Sequence, residues 1–281
     1  LHRIAFNKNQ KGDNMSNQSI RKPQELFNLK GRTALITGGS RGLGLQMAQA
    51  LGEAGANIII SSRKAADLEL ATAELLKQGI DASYIAADAG KEADIHRLAE
   101  ETLAHLGKVD ILINNAGASW GAPAEDHPVE AWDKVMNLNI RGYFLLSQHI
   151  AKASMIPNKS GRIINIASIA GIGGNPAFMT TIAYNTSKGA VVNFTRALAC
   201  EWGKYGITVN AIAPGFFPSK MSQGLLEAAG EEAIANQSPL KRLGDDEDLK
   251  GAAVLFASDA GKHITGQILA VDGGVSSQVG A

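Results

Sequence analysis

The amino-acid sequence predicts an α/β fold: a single doubly wound domain whose seven-stranded parallel sheet carries helices on both faces. From Gly31 onward, short β-branched apolar runs alternate with longer Ala/Leu/Glu-rich segments, the signature of repeated βα units. The runs are apolar at successive positions, as strands are when helices cover both sides of their sheet. No composition break or linker interrupts residues 31–275, and 45% of the 281 residues are hydrophobic, enough for one sizeable core.

Residues 1–28 are polar and lack the apolar run of a secretory signal. Their basic, acid-poor start (Arg3, Lys8, Lys11) has no amphipathic period, so a disordered extension is expected before a folded domain at 29–281. The first strand is expected at Thr33–Thr37 and the first helix at Leu43–Ala54. Asn57–Ser61, with three successive isoleucines, gives the second strand, followed by a helix over Lys64–Gln78. The third unit is Ala82–Ala86 with Lys91–Leu106, the fourth Val109–Asn114 with Val129–Met155, and the fifth Arg162–Ala167 with Ile182–Tyr205. Ile207–Ile212, a helix over Asp246–Ser258 and a strand at Gln267–Val271 close the sheet. The stretch from Pro214 to Leu243 is rich in Gly, Pro, Phe and Ser and too long for an ordinary connection. It reads as a lid or binding loop (214–243) with a short helix near Met221–Ala229.

Charge and composition exclude several classes of function. Lys+Arg and Asp+Glu both number 27, so no global field draws the chain to nucleic acid or an anionic membrane. The longest apolar run is far shorter than the roughly 18 residues of a membrane span, so a cytoplasmic protein is expected. Cys200 stands alone and the six histidines form no His-x-x-x-His pair, so neither a disulfide framework nor a metal site is expected. Cys200, among Ala and Leu, is expected in the core. The run Gly244-Asp-Asp-Glu-Asp248 is expected to set carboxylates at a helix start, where the dipole favours them. Glycine, at 31 residues, well exceeds its usual share of roughly 7% without any repeat, which points to glycines used at particular places.

The first such place is Thr37-Gly-Gly-Ser-Arg-Gly-Leu-Gly44, between the first strand and the first helix. Gly38, Gly42 and Gly44, with Ser40, Arg41 and Leu43 between them, sit where a pyrophosphate meets backbone amides at a helix N-terminus. About twenty residues on, the second strand ends in Ser61-Ser62-Arg63-Lys64 rather than in the acid that would accept bonds from a ribose 2′-hydroxyl. Ser62 and Arg63 suit a 2′-phosphate, because a guanidinium offers a charge-assisted fork, and Arg41 supplies a second positive charge. The expected cofactor is therefore NADP(H).

Tyr184-Asn-Thr-Ser-Lys188 opens a predicted helix, and residues four apart share a face, so the Lys188 ammonium is expected beside the Tyr184 phenol. That charge would lower a phenol pKa of about 10 towards neutrality, giving a general acid for carbonyl reduction and a base for alcohol oxidation. Ser168 ends the fifth strand, and Asn115-Ala-Gly117 follows the fourth, both at the carboxyl edge where parallel sheets bind ligands.

With these motifs the sequence resembles the short-chain dehydrogenase/reductase family, which has a Rossmann-type domain. The resemblance runs from about Leu29 to Gly274 and rests on residues 37–44, Asn114-Asn-Ala-Gly117, Asn139, Ser168, Tyr184 with Lys188, Pro214-Gly215 and Val271-Asp-Gly-Gly274. Within the family it is similar to 3-oxoacyl-(acyl-carrier-protein) reductases, the rhamnolipid-type 3-ketoacyl reductases and gluconate 5-dehydrogenases. Ser119-Trp-Gly-Ala122 and Pro214-Gly-Phe-Phe-Pro-Ser-Lys-Met221 are similar to the rhamnolipid-type branch. The resemblance implies that Tyr184 exchanges the proton, Lys188 tunes it and bonds the nicotinamide ribose, Ser168 holds the carbonyl oxygen, and Asn139 anchors a water leading to Lys188. It further implies that Asp88 and Ala89 bracket adenine, that Asn115, Ala116 and Gly117 line the ribose side, and that Pro214, Gly215, Phe217 and Ser219 hold the carboxamide end.

One departure from the family pattern stands out: 16 positions separate Ser168 from Tyr184, about three more than is usual in the acyl-carrier-protein reductases, and residues 169–183 carry no charge. The uncharged loop favours a 3-oxoacyl or similarly neutral ketone as the small-molecule substrate. A sugar-acid dehydrogenase would need a basic residue to hold a carboxylate, for which only Lys220 and Arg141 offer themselves. A nucleotide sensor without turnover is the third reading, opposed by the intact Ser168, Tyr184 and Lys188. Helices through which family members pair lead us to expect a homotetramer or dimer.

Overall fold

The computed structural model describes residues 20–278. Chain order is α1 (Pro23–Leu26), β1 (Thr33–Thr37), α2 (Gly42–Glu53), β2 (Asn57–Ser62), α3 (Ala65–Lys77), β3 (Ala82–Ala86), α4 (Glu92–Leu106) and β4 (Ile111–Asn114). It continues through α5 (Val129–Met136), α6 (Gly142–Ile150), β5 (Gly161–Ile166), α7 (Ile182–Trp202), β6 (Ile207–Pro214), α8 (Gln223–Ala229), α9 (Glu231–Ala235), α10 (Lys250–Ala257) and β7 (Ile268–Val271). All strand pairings are parallel, in the order β3-β2-β1-β4-β5-β6-β7. The order reverses between β1 and β4, which opens a crevice outside their carboxyl ends.

Successive strand residues face opposite layers, and both layers are apolar. Ile36, Ile58, Ile60 and Ile113 pack with Met47 and Leu51 of α2, Leu68 and Leu75 of α3, and Phe256 of α10. Leu35, Ile59, Leu112 and Ile163, one position along, pack with Ile95 and Leu98 of α4, Leu146 and Ile150 of α6, and Leu198 of α7. Each such side chain, withdrawn from water, contributes roughly 1.5–3 kcal/mol, which is why a run of three isoleucines is stable only in the middle of a covered sheet.

The expected elements are present, with boundaries shifted by a few residues and three larger differences. The expected long helix over Val129–Met155 is interrupted by π turns at Asn137–Arg141 and Ala151–Met155. The lid region holds a second short helix, α9, beyond the expected one. The last main helix starts at Lys250 rather than Asp246, because its acidic run is spent on a turn. Asp248 takes a bidentate bond from Arg242 (2.5 and 2.7 Å) and the amide of Asp245, while Asp246 accepts from Gln46 at 2.6 Å.

The expected extension lies outside the described residues as far as residue 19. Beyond it, Arg21 pairs with Asp259 at 2.8 Å and α1 forms a single helical turn. Cys200 is exposed rather than in the core. It shares the outer stripe of α7 with Asn193, Arg196 and Ala197, whereas Leu198 and Ala199 take the buried positions. No helix among the described residues is long and apolar enough to cross a membrane.

Candidate active site

The two loops that flank the crevice are laced together by side chains of the sequence motifs. The Thr37 hydroxyl accepts from the amides of Asn115 (3.0 Å) and Ala116 (3.1 Å), and the Asn115 amide group donates to the carbonyls of Thr37 (2.9 Å) and Gly38 (3.2 Å). Asn115 is thereby spent on holding the crevice open, which leaves main chain to face a ligand there. Gly44 is forced by packing, since a Cβ on it would lie 2.3 Å from the Gly38 carbonyl oxygen. Gly42 differs: its φ of +53° favours glycine, and a Cβ there would meet open space at the start of α2. Ser40 and Leu43 are half-buried beside it. This is a cradle of free amides at the N-terminus of a 12-residue helix, suited to a diphosphate.

Ser62 ends β2 half-buried, and Arg63 and Lys64 are exposed at the mouth of the next loop. Arg41, also exposed, reaches Asp67 at 3.5 Å, so one of the two guanidiniums expected for a phosphate has an acidic neighbour. At the end of β3, Asp88 is fixed by bonds from its amide to Asp94 (2.8 Å) and from the Gly90 amide to its carboxylate (3.0 Å). Asp94 is held below the usual carboxylate range, chiefly by that Asp88 amide. Ala89 presses on α6: a Cβ on Gly142 would lie 2.3 Å from the Ala89 carbonyl oxygen.

The expected catalytic residues come together at the carboxyl ends of β4 and β5. A buried polar seam holds those ends to the helices: Asn114 donates to Ser147 of α6 (3.0 Å) and to Asn165 of β5 (2.9 Å), and Asn165 donates to Thr195 of α7 (3.0 Å). Ser168, just beyond β5, accepts from the Ala170 amide at 3.2 Å and stands near enough to the Tyr184 phenol to lower its pKa. Lys188, one turn along α7, is buried; its Nζ donates to the Ile166 carbonyl at 2.6 Å and lies 5.7 Å from the centre of the Tyr184 ring. The Asn139 side chain, inside the π turn, is held by the amide and carbonyl of Ala118 and by Ser187 (each 2.9 Å). Gly117 stands between Asn139 and Lys188; a Cβ on it would lie 3.4 Å from one and 3.7 Å from the other.

The electrostatics differ from the sequence expectation. Burial pushes the Tyr184 phenol above its usual value despite the lowering effect of the nearby Ser168 hydroxyl. Burial also brings Lys188 down to about 7. A desolvated ammonium resists being charged, and a desolvated phenol resists losing its proton, so in this structure the pair does not tune Tyr184 downward.

Pro214 ends β6, and the Gly215 amide bonds the Val271 carbonyl at 3.0 Å, close enough that a Cβ on Gly215 would collide with Asp272. Phe217 is buried under Gly244. Ser222, which the sequence motifs did not single out, joins the two expected carboxamide partners. Its hydroxyl donates to the Phe217 carbonyl (2.6 Å) and meets the Ser219 hydroxyl at 3.0 Å. Tyr143, also unmarked by motif, places its hydroxyl 3.3 Å from the same Ile166 carbonyl that Lys188 uses. The expected carboxylate reader Arg141 is turned outward, paired with Glu92 at 2.6 Å.

Residues 38–276 match the family described as enoyl-(acyl carrier protein) reductase. The chain belongs to the short-chain dehydrogenase/reductase family. As a member of it, the protein is an oxidoreductase. It is similar to a gluconate 5-dehydrogenase of Gluconobacter oxydans, 36% identical over 255 residues, which cover 90% of this chain and 97% of that one. It is also similar to the rhamnolipids biosynthesis 3-oxoacyl-[acyl-carrier-protein] reductase of Pseudomonas aeruginosa, 40% identical over 254 residues (88% of this chain, 97% of that one). Among solved structures, a gluconate 5-dehydrogenase from Burkholderia cenocepacia in complex with NADP and tartrate superposes with a TM-score of 0.86 at 36% identity, covering 91% of this chain and 99% of that one.

Proposed function

We propose that this short-chain dehydrogenase/reductase is an NADP(H)-dependent enzyme that moves hydride between the nicotinamide and a ketone or secondary alcohol, and that its substrate is a 3-oxoacyl thioester or a related neutral ketone. The observation that carries the proposal is the convergence of Ser168, the buried Tyr184 phenol and buried Lys188 at the sheet's carboxyl edge. The open cradle at Gly42 fits a dinucleotide diphosphate, with Gly38, Ser40, Leu43 and Gly44 shaping it. Arg41, Ser62 and Arg63 would hold the 2′-phosphate, Asp88 and Ala89 the adenine, Asn115 to Gly117 the ribose side, and Pro214, Gly215, Phe217 and Ser219 the carboxamide. When bound, NADPH supplies the hydride; the chain supplies the proton and the field.

In reduction, Ser168 and Tyr184 donate hydrogen bonds to the carbonyl oxygen, and those bonds strengthen as negative charge develops there. Tyr184, kept protonated at neutral pH by burial, passes its proton to that oxygen. Lys188 would serve the relay that refills the phenol: with a pKa of about 7 it loses and regains a proton at little cost near neutrality. Asn139, whose side chain is tied to Ala118 and Ser187, would anchor a water leading to Lys188.

Arg141 is spent on Glu92 and the loop 169–183 is uncharged, which supports a neutral substrate. Exposed Lys220 in the lid, together with the gluconate 5-dehydrogenase relatives, supports a sugar acid as the second reading. NADPH and NADH oxidation should be followed with acetoacetyl thioester, a medium-chain 3-oxoacyl thioester, 5-ketogluconate and a neutral cyclic ketone. Thioester turnover with NADPH is expected. Turnover of 5-ketogluconate alone transfers the assignment to the sugar acids, and tight NADPH binding without turnover revives a nucleotide sensor.

We also propose a cytoplasmic homotetramer or dimer. Phe144 of α6, 45% exposed, meets Phe194 of α7 edge to face with ring centres 6.5 Å apart, leaving an apolar face on the two helices for another copy.

A further inference from the structure

The loop that lengthens the span between Ser168 and Tyr184 is tied down by one side chain. Asn185, the residue after Tyr184, donates from Nδ2 to the carbonyl of Ala170 at the loop's start (3.0 Å). Its Oδ1 accepts from the Thr181 hydroxyl at the loop's end (2.9 Å) and from the amide group of Asn175 in the middle (3.1 Å). Asn175 also donates to the Thr181 hydroxyl at 3.0 Å. Thr181 occupies the N-cap position of α7, where its hydroxyl would ordinarily accept a helix amide, yet it makes no such cap bond. The hydroxyl is committed to the loop instead.

The clamped loop presents apolar side chains outward: Ile172 is 49% and Phe178 62% exposed. It is also bridged to the segment after β4, the Ala122 amide donating to the Thr180 carbonyl at 2.9 Å. Two residues before that bridge stands Trp120, 46% exposed. Two bridged loops thus carry exposed aromatic and branched side chains, and residues 169–183 bring no charge that could pair with a carboxylate.

We infer that Asn185 is a positioning residue whose clamp on Ala170, Asn175 and Thr181 fixes Ile172, Phe178 and Trp120 as a wall selecting ketones that carry an extended uncharged chain. The inference rests on the proposed ketone chemistry at Ser168 and Tyr184 and narrows its substrate class. The clamp acts on substrate binding, not on the proton transfer, because none of its atoms belongs to the Ser168, Tyr184 or Lys188 side chains. Ordering the loop in advance removes the entropy a chain would otherwise lose on closing it.

The test measures KM and kcat with NADPH for 3-oxodecanoyl and acetoacetyl thioesters and 5-ketogluconate, in the wild type, Asn185→Ala, Asn175→Ala and Thr181→Ser, alongside amide hydrogen exchange across residues 170–181. The wild type is expected to show a KM about tenfold lower for the long thioester than for the short one. Asn185→Ala should erase that difference by raising the long-chain KM about tenfold, with kcat within about twofold and exchange in the loop at least about tenfold faster. Thr181→Ser keeps the hydroxyl and should behave as wild type, and Asn175→Ala, which leaves α7 intact, should reproduce the KM effect in part. Unchanged loop exchange in both alanine variants, or a loss of kcat equal for the two thioesters at constant KM, would overturn the clamp. Turnover of 5-ketogluconate alone by the wild type would overturn the apolar selection. Silence on all three substrates with NADPH still bound would defeat the proposed function, and loop exchange would still judge the clamp.

Discussion

Lys188 combines two costs that a surface lysine avoids: its stem is buried and its ammonium faces one carbonyl and two aromatic rings, with no carboxylate in contact. Its pKa falls from 10.5 to about 7 in the folded chain. Between pH 7 and 10.5 the unfolded state therefore binds more protons than the folded one, and stability rises with pH across that window. The contribution is complete above the unfolded value and is lost as pH falls through about 7. Lys188→Met, which never has to bury a charge, is expected to be more stable than wild type at pH 6, by on the order of 2–4 kcal/mol, with the gap closing towards pH 10. Melting curves across pH check this, and a constant gap would contradict it.

The cofactor preference also belongs to single residues. Arg41→Ala combined with Arg63→Ala is expected to raise KM for NADPH about 10- to 100-fold while KM for NADH moves less than about threefold, since only the 2′-phosphate loses charge-assisted bonds. Equal losses with both nucleotides would return the two arginines to solvent. Asp67 opposes Arg41 from 3.5 Å at the surface, so Asp67→Asn should tighten NADPH by no more than about threefold.

Among the elements, the turn from β1 into α2 separates two uses of glycine. Gly44→Ala drives a methyl group into the Gly38 carbonyl and should cost about 1–3 kcal/mol in urea unfolding, with no specific effect on the nucleotide beyond that loss. Gly42→Ala meets no protein atom but places Ala at φ +53°, costing roughly 1–2 kcal/mol. Because its methyl group would occupy the open cradle, NADPH binding should weaken at least about tenfold, and unchanged affinity would move the diphosphate elsewhere.

This turn was legible in the sequence because its glycines are demanded by local geometry, as was the placement of Ser168 and Tyr184 by strand end and helix spacing. The π turns around Asn137–Arg141 and Ala151–Met155 were not, since nothing in a continuous helical period marks where one extra residue enters a turn. Nor were Ser222 and Asn185, whose roles depend on loop paths that no periodicity encodes. The run from Asp245 to Asp248 misled for the opposite reason: acids do favour a helix start, but Arg242 offered Asp248 a bidentate partner first.

For the whole molecule, the reversal of strand order between β1 and β4 explains why residues from four strand ends converge. The glycine turn, Asn115 and Ser168 follow β1, β4 and β5, the Pro214 loop follows β6, and the first turns of α7 add Tyr184 and Lys188. Phe194 lies ten residues along α7 from Tyr184, so association through Phe144 and Phe194 should leave the crevice open. Light scattering is expected to give a dimeric or tetrameric mass, and Phe144→Asp to shift it towards monomer; a wild-type monomer would end the proposal of self-association.

If Tyr184 delivers the proton, the site should still assemble and bind nucleotide without its hydroxyl. NADPH oxidation by Tyr184→Phe with a medium-chain 3-oxoacyl thioester, measured beside NADPH affinity, tests this. Phenylalanine keeps the ring and removes only the hydroxyl. A fall in kcat of about 10²- to 10⁴-fold is expected, with nucleotide affinity within about twofold. Turnover near the wild-type rate would contradict it.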